Sequence, residues 1–388
     1  MLAHLQDPQE NAAKAPEVTS LEGLLQDIRS RRKEFEAQKF ISQDIIERFR
    51  EVGVYRALVA KRFGGDEKSP AEFCQLVETI AGADGSAGWV ASFGIGGKYL
   101  ASLPVETLAE LYANGPDVVF AGGIFPPQPA QQVEGGLKVN GRWSWGSGST
   151  GADMIGVGVQ PKSDEGLGLP RMAVMPREKV QIVPNWEVSG LLGTGSNDLV
   201  VTDVVVPEEW TFVRGGASSL DTPLYRYPTL ALAAQVLSVV ALGIARAAID
   251  EVLGMAAGRT SVTGAPNLGD RIYVQLEVAK IEAELRAARS WFYGAIDDAW
   301  QVLLAGDEPS DHQVSMLRLS TTHAARVGAD VTRRAQMLTG MTGVYESSPL
   351  AAQVRDVQMI TQHAFMGDIT YQNAGAMLFG LKPMPGYL

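Results

Sequence analysis

From Leu21 to Tyr112, apolar residues recur three and four positions apart, which is the spacing of amphipathic helices. The clearest groups fall within residues 28–35, 45–49 and 73–81. Glycine-containing segments, such as the one at 62–65, separate these groups. The pattern predicts an N-terminal helical domain over residues 21–116. The polar stretch before it, residues 1–20, is predicted to be a flexible N-terminus.

The pattern changes at Asn114-Gly-Pro116. Beyond it, short alternating or β-branched runs are separated by turn residues, as in a β domain. The clearest runs are 137–145, 154–159, 172–176, 180–183 and 199–206. These runs predict a small central β domain over residues 117–222, built as a barrel or a sandwich.

After Pro228 the helical spacing returns and continues almost to the end of the chain. Four long amphipathic helices are predicted at 230–255, 271–304, 311–338 and 350–379. Four such helices indicate a C-terminal four-helix bundle over residues 223–388. The predicted fold class is therefore a multidomain α+β protein, with helices first, a β domain next and a helix bundle last.

Composition narrows the class of protein. The net charge of −11 argues against a nucleic-acid partner, because phosphate binding uses a basic surface. No apolar run is judged long enough to cross a membrane, and the amino terminus lacks the layout of a secretion signal. With Cys74 as the single cysteine and four scattered histidines, neither a disulfide nor a metal site is predicted. These features favour a cytoplasmic enzyme that uses an organic cofactor.

One stretch has an unusual composition, Gly141-Arg-Trp-Ser-Trp-Gly-Ser-Gly-Ser-Thr-Gly-Ala-Asp153. It starts as an aromatic strand and ends in small hydroxyl and glycine residues. Glycine permits close backbone approach, so such a segment can lie against a flat ligand with polar edges. A surface loop is the alternative. A second glycine run, 94–97, lacks the strand–turn–helix context of a dinucleotide fingerprint, so NAD(P)H is not expected to bind here.

With these motifs in this order, the chain resembles the acyl-CoA dehydrogenase fold over roughly residues 20–380. It is more similar to the branch of two-component flavin-dependent monooxygenases. Oxygenase components of that branch act on p-hydroxyphenylacetate, a steroid-derived phenol, dibenzothiophene and indoles. The segments that carry the resemblance are 85–90, 141–153, 186–196, 204–207, 243–246, 340–345 and 355–356.

The resemblance implies a three-domain subunit with flavin between the β domain and the bundle, commonly in a homotetramer. Ser147 matches the hydroxyl residue that faces flavin N5, and Trp145 matches the aromatic residue beside the flavin ring. Arg259 matches an arginine on the flavin phosphate, where its fork of donors suits an anion. The other residues expected at the flavin are Gly122, Thr194 and Ser196. The alternatives are a core position for Trp145, a surface ion pair for Arg259 and a hairpin turn at 194–196.

An acyl-CoA dehydrogenase needs a carboxylate base to remove the substrate α-proton. The family places it shortly after an Arg-Asp pair, here Arg355-Asp356, and the matching residue is Ala364. The alternative location, residues 231–235, also has no carboxylate. His363 stands beside the missing base, where the monooxygenase branch has a histidine that can hydrogen-bond the reacting oxygen. The alternative is a structural helix histidine, which is how His312 and His323 are interpreted.

The substrate side is less defined. Phenol-hydroxylating relatives carry a second histidine where this chain has Gly97, so a ring that needs no deprotonation, such as an indole, is favoured. Ser92, Lys98 or Tyr99 could replace that histidine, and the glycine run 94–97 is expected to free volume for a larger substrate. Phe125 and Trp89, with Ser92, are the candidate substrate contacts; Phe125 could equally be a core residue.

The resemblance thus implies an oxygenase component that receives reduced flavin, FADH2 or FMNH2, from a separate flavin reductase. O2 is the co-substrate, and a flavin C4a-hydroperoxide hydroxylates or epoxidises a small aromatic or heteroaromatic compound of indole or phenol type. Ser147 and His363 are the candidate catalytic residues. The alternatives are a dehydrogenase with a relocated base, an N- or S-oxygenase, and a non-catalytic protein that retains the fold.

Overall fold

The computed structural model describes residues 20–163, 166–256 and 266–388. Arg259 and the predicted flexible stretch up to residue 19 lie outside these ranges. The N-terminal part is helical. Its helices are α1 (Leu21–Gln38), α2 (Gln43–Glu51), α3 (Pro70–Ala83), α4 (Gly85–Ala91), α5 (Gly96–Leu100) and α6 (Val105–Leu111). Local sequence fixes where they begin: Ser69 and Glu72 form a capping box ahead of α3.

Eight strands in the middle of the chain form one connected sheet. They are β1 (Phe120–Val133), β2 (Gly136–Gly146), β3 (Met154–Ser163), β4 (Gly166–Leu167), β5 (Arg171–Pro176), β6 (Gln181–Val183), β7 (Asn197–Val206) and β8 (Thr211–Val213). Their order is β6-β7-β2-β1-β3-β5-β8, with β4 paired to β3. The β1–β3 pair is parallel and the other pairs are antiparallel. All five predicted runs are strands.

The C-terminal part begins with the short helix α7 (Pro223–Arg226) and continues with α8 (Thr229–Met255), α9 (Ile272–Leu304) and α10 (Asp311–Leu338). Helix α8 is long and apolar enough to cross a membrane by composition, which corrects the expectation that no run reaches that length. In the fold, 89% of its most apolar window is buried. It packs chiefly against α10 and α3, so it is a central core helix.

The fourth long helix of the bundle is interrupted. Two helices, α11 (Pro349–Thr361) and α12 (Asp368–Leu378), flank a single 3-10 turn at Ala364–Met366. The prediction of one helix over 350–379 is therefore wrong. The chain leaves the helical conformation at His363, which has φ −65° and ψ 140°, and again at Gly367. The break lies within the segment that carries His363 and Ala364.

Candidate active site

Strand β2 ends in a tight turn that exposes an aromatic ring. Trp145 has φ +65°, a conformation that is strained for a bulky residue, and it is 66% exposed. Its carbonyl accepts a hydrogen bond from the Ser147 N–H at 2.9 Å, and the Gly148 N–H bonds to the Thr194 carbonyl. The alternative that Trp145 is a core residue is wrong. Its ring faces outward beside the serine at the end of the strand.

Three hydroxyl groups form a chain behind this turn. Ser147 Oγ lies 2.6 Å from Ser196 Oγ, which lies 2.7 Å from Thr194 Oγ1. Thr194 in turn donates to the Leu191 carbonyl at 2.9 Å. All three hydroxyl residues are at most 5% exposed, so water does not compete for these hydrogen bonds. The segment 194–196 is therefore more than a hairpin turn, because its hydroxyl groups link Ser147 to the Leu191 carbonyl in the interior.

Helix α4 connects the chain of three hydroxyl groups to the break between α11 and α12. The indole N–H of Trp89 donates to Ser147 Oγ at 3.2 Å. The Trp89 ring also meets the His363 ring edge-on, with 5.9 Å between centroids. Ser86, on the same helix, accepts the Gly193 N–H at 3.1 Å. Ser147, Trp89 and His363, which are far apart in sequence, thus form one contiguous group.

His363 has a defined hydrogen-bond state. Its Nδ1 accepts the Phe365 N–H at 3.2 Å, so a neutral ring carries its proton on Nε2. Burial lowers the pKa of His363 to about 4. At neutral pH the side chain is therefore uncharged and can donate a hydrogen bond through Nε2–H. Of the neutral and protonated forms, the structure favours the neutral one.

One face of α10 holds the turn that carries His363. Arg318, Thr322 and Arg326 are spaced four residues apart, so they share a face of the helix. The Arg318 guanidinium lies 5.7 Å from the Phe365 ring centroid, and Thr322 donates to the Phe365 carbonyl at 3.1 Å. Arg326 donates to the Met366 carbonyl at 2.9 Å. These contacts replace the backbone hydrogen bonds that a continuous helix would make.

The carboxylate base of a dehydrogenase is missing from both expected places. Ala364 is exposed at the break between α11 and α12. In segment 231–235, at the start of α8, the only polar residue is Gln235, whose side chain is buried against the Tyr227 hydroxyl at 3.1 Å. The site can therefore offer hydrogen-bond donors and acceptors at these positions, but it has no group there that could take an α-proton.

Two other residues proposed from the sequence, Ser92 and Gly122, make local structural contacts. Ser92 is 1% exposed, and its hydroxyl donates to the Trp89 carbonyl at 2.6 Å, within its own helical segment. A Cβ atom at Gly122 would meet the Gly156 carbonyl oxygen at 2.1 Å, so this glycine permits the close β1–β3 contact. Neither position therefore offers an exposed polar side chain.

The glycine run 94–97 is tightly packed, so the expectation that it frees volume is wrong. A Cβ atom at Gly97 would lie 2.8 Å from the Leu58 carbonyl carbon and 2.9 Å from the Val59 nitrogen. At Gly94 the obstacle is the Val54 carbonyl oxygen, at 2.5 Å. No side chain fits at Gly97 without moving this backbone. The neighbouring Lys98 ammonium is buried and donates to the Tyr225 carbonyl at 2.6 Å, and burial lowers its pKa to about 7.

Phe125 is half-exposed, which rules out the core alternative, and it carries a partner that sequence reasoning missed. The Arg214 guanidinium stacks over its ring at 4.2 Å from the centroid. Among the residues that the structure describes, that guanidinium has no hydrogen-bond acceptor and no carboxylate within ion-pair distance; besides burial, only Tyr99 affects its pKa. Burial lowers the pKa of Arg214. A lone arginine before Gly215 and Gly216 gives no sequence signal, because its free charge is visible only once the fold is known.

These features fit a flat, polar-edged cofactor such as flavin. Trp145 offers an exposed aromatic face. Within the described ranges, a lone pair of Ser147 and the Nε2–H of His363 have no hydrogen-bond partner. Exposed Ala364 leaves room where a dehydrogenase has its base. Arg259, the expected phosphate contact, lies outside the described residues.

Comparisons with known proteins identify the family and the fold. Residues 235–368 match the family model described as Acyl-CoA dehydrogenase, C-terminal domain. The chain is 62% identical to the indole-3-acetate monooxygenase of Pseudomonas putida over 371 residues, 95% of each chain. It is 28% identical to the flavin-dependent monooxygenase oxygenase subunit HsaA of Rhodococcus jostii, covering 89% of this chain and 93% of that one. The crystal structure of 3-HSA hydroxylase from Rhodococcus sp. RHA1 superposes with a TM-score of 0.88 at 27% identity, covering 95% and 97% of the two chains. The predicted fold class is confirmed.

Proposed function

Because the chain belongs to the flavin-dependent monooxygenases of the acyl-CoA dehydrogenase fold, we propose that it is an oxygenase that adds one oxygen atom to an indole-type ring. When bound, reduced flavin supplies the electrons that activate O2; one oxygen atom enters the substrate and the other leaves as water. The flavin is FAD or FMN and comes from a separate reductase. The observation that carries this proposal is the contiguous group of Ser147, Trp89 and His363, with Ala364 in place of a base.

Each residue of the group has a role that follows from its hydrogen bonds. Trp145 covers one face or edge of the flavin ring, and Ser147 offers an oxygen to N5. His363 presents Nε2–H to the reacting oxygen. Because the ring is neutral, it donates this hydrogen bond without adding a charge to the site. Trp89 holds Ser147 and His363 at a fixed separation through its two contacts. The ring of the substrate lies against Trp89 and Phe125.

The proposed substrate is indole-3-acetate, which the 62% identical relative is named for. Its carboxylate needs a cation, and Arg214 is a cation that lacks a protein partner in the described parts of the chain. A guanidinium binds a carboxylate through two parallel hydrogen bonds, and its position over Phe125 places that anion beside an aromatic wall. Arg214 is therefore the proposed anchor of the acetate group.

The test uses the purified protein, chemically reduced FMN or FAD, 18O2 and indole-3-acetate. We expect a product that carries one 18O atom, with hydrogen peroxide as the minor fate of the oxygen. Recovery of unchanged indole-3-acetate with stoichiometric peroxide would refute the oxygenase. Anaerobic bleaching of bound oxidised flavin by an acyl-CoA would instead support the dehydrogenase alternative, which lacks a base at Ala364 and at 231–235.

We also propose a homotetramer that is cytoplasmic and has no membrane or nucleic-acid partner. Support comes from large apolar side chains exposed on the bundle and after α12. They include Ile272, Tyr273, Leu276, Met337, Met341, Val344, Tyr345, Leu378, Phe379 and Leu381. Large apolar side chains exposed together on a protein surface usually mark an interface. Analytical ultracentrifugation at micromolar concentration should give four times the monomer mass of 41.5 kDa; a monomer would contradict the proposal.

A further inference from the structure

The three contacts of the hydroxyl chain behind Trp145 are hydrogen bonds together only if the chain runs in one direction. Its inner end is the Leu191 carbonyl, which cannot donate, so the single Thr194 hydroxyl proton is committed to it. Ser196 must then donate to Thr194, and Ser147 must donate to Ser196. Each hydroxyl has one proton, and each proton is used. Ser147 therefore faces the site without a proton to give.

Further contacts surround the two ends of this hydroxyl chain. The Leu191 carbonyl also accepts the Trp186 indole N–H at 3.0 Å, and the Leu191 N–H bonds to Asp356 at 2.6 Å. One of the two lone pairs of Ser147 Oγ accepts the Trp89 indole N–H. No group in the described parts of the chain donates to the other lone pair. The outward face of Ser147 is thus a hydrogen-bond acceptor.

Flavin changes its own polarity at N5 when it is reduced. Reduced flavin carries N5–H, which is a donor, whereas N5 of oxidised flavin has a lone pair and is an acceptor. We propose that Ser196 and Thr194 fix Ser147 as an acceptor and thereby make the site select reduced flavin over oxidised flavin. This inference rests on the proposed function, in which Ser147 lies at N5. It assigns Ser196 and Thr194 as specificity-determining residues for the redox state of the cofactor.

The selection fits the task of an oxygenase that receives its flavin from elsewhere. Binding of the reduced form gains an N5–H to Ser147 hydrogen bond. After turnover, oxidised N5 and Ser147 face each other as two acceptors, and leaving a buried polar pair unmatched costs binding free energy. Oxidised flavin is then released, and the site is free for the next reduced molecule.

The test measures the dissociation constants of reduced and oxidised flavin, both under anaerobic conditions, so it does not depend on turnover. For the wild type we expect reduced flavin to bind at least about tenfold more tightly. Ser196→Ala frees the Ser147 proton to reach oxidised N5, and the preference should fall by about tenfold, mainly through tighter binding of oxidised flavin. Thr194→Val should act in the same direction. Ser320→Ala is the matched control, because Ser320 is a buried serine that bonds to its own helix.

A second ligand pair isolates the N5 atom. In 5-deazaflavin a carbon replaces N5, so neither redox state offers the donor or the acceptor. The wild-type preference should vanish for this pair. An unchanged preference with 5-deazaflavin, or an unchanged ratio in Ser196→Ala, overturns the inference. A folded wild-type protein that binds neither redox state overturns the proposed function instead.

Discussion

At the scale of single residues, the proposed role of His363 is that of an uncharged hydrogen-bond donor to the reacting oxygen. His363→Ala should lower the product formed per reduced flavin by about tenfold, because a hydrogen bond to the reacting oxygen is lost. Flavin affinity should change less than about twofold, since Trp145 and Ser147 remain. The measurement is the ratio of product to peroxide in single turnover. His363→Gln retains an N–H donor and serves as the control that should recover part of the yield.

The same histidine predicts a pH profile. Because burial lowers its pKa to about 4, His363 is neutral throughout the range from pH 6 to pH 9. The ratio of product to peroxide should therefore stay constant across that range. A decline with a midpoint near pH 6.5 that disappears in His363→Gln would show instead that the protonated ring is the active form.

Arg214 has no acidic partner in the described parts of the chain and is the proposed anchor of the substrate carboxylate. Arg214→Gln should raise the KM for indole-3-acetate by about 10- to 100-fold, because the carboxylate loses a charge-assisted hydrogen-bond pair. Indole has no carboxylate, so its KM should not change. Lys179→Gln removes an exposed positive charge elsewhere on the β domain and is the control. An equal rise for both substrates would contradict the anchor.

At the scale of elements, close packing of α5 against the 58–59 backbone explains the glycine at 97. Gly97→Ala should lower the free energy of unfolding by about 1–3 kcal/mol, because backbone atoms cannot rotate away from the new Cβ. Gly254→Ala on α8, where nothing lies within 4 Å of a built Cβ, should be neutral or stabilising. Denaturant titration compares the two. Gly97→His should lower the free energy of unfolding by at least as much as Gly97→Ala.

The elements also show what the sequence can and cannot predict. The long helices and five strands follow from local spacing. Strand β1 was missed because its Pro126, Pro127 and Pro129 are atypical of strands. The break at His363 was missed because it depends on contacts with α10, which lie about 40 residues away in sequence. Ser147 and His363 were found through family resemblance, whereas Arg214 was not, since its free charge is a property of the folded surroundings.

At the scale of the whole molecule, a partly buried pair of carboxylates joins three regions. Asp84 caps the start of α4, Asp356 lies in α11, and Asp356 accepts the Leu191 N–H. Burial, followed by the charge of Asp84, raises the pKa of Asp356 to about 7. The Leu191 N–H hydrogen bond opposes the rise, as does Arg355, and Glu36 adds to it. The folded state therefore holds a proton on Asp356 that the unfolded state releases above about pH 4.

This difference in pKa predicts the direction of a pH effect. Between about pH 4 and pH 7 the folded state binds more protons at Asp356, so its contribution to stability falls as pH rises through that window. Asp356→Asn cannot ionise and keeps an oxygen for Leu191, so it should gain stability relative to wild type by about 1–4 kcal/mol between pH 5 and pH 8. Thermal midpoints of both proteins at the two pH values measure this. Parallel curves would contradict it, and exposed Asp250→Asn is the control.

The exposed ring of Trp145 gives the protein a built-in optical signal. Of its seven tryptophans, Trp143 is fully buried, whereas Trp145 stands 66% exposed at the edge of the proposed cofactor site. A flavin seated there would quench the emission of Trp145 by contact and by energy transfer. Fluorescence that is lost on adding flavin and is absent in Trp145→Phe would therefore report occupancy in real time, without a dye or a tag. The handover of cofactor from the reductase could be followed by light alone.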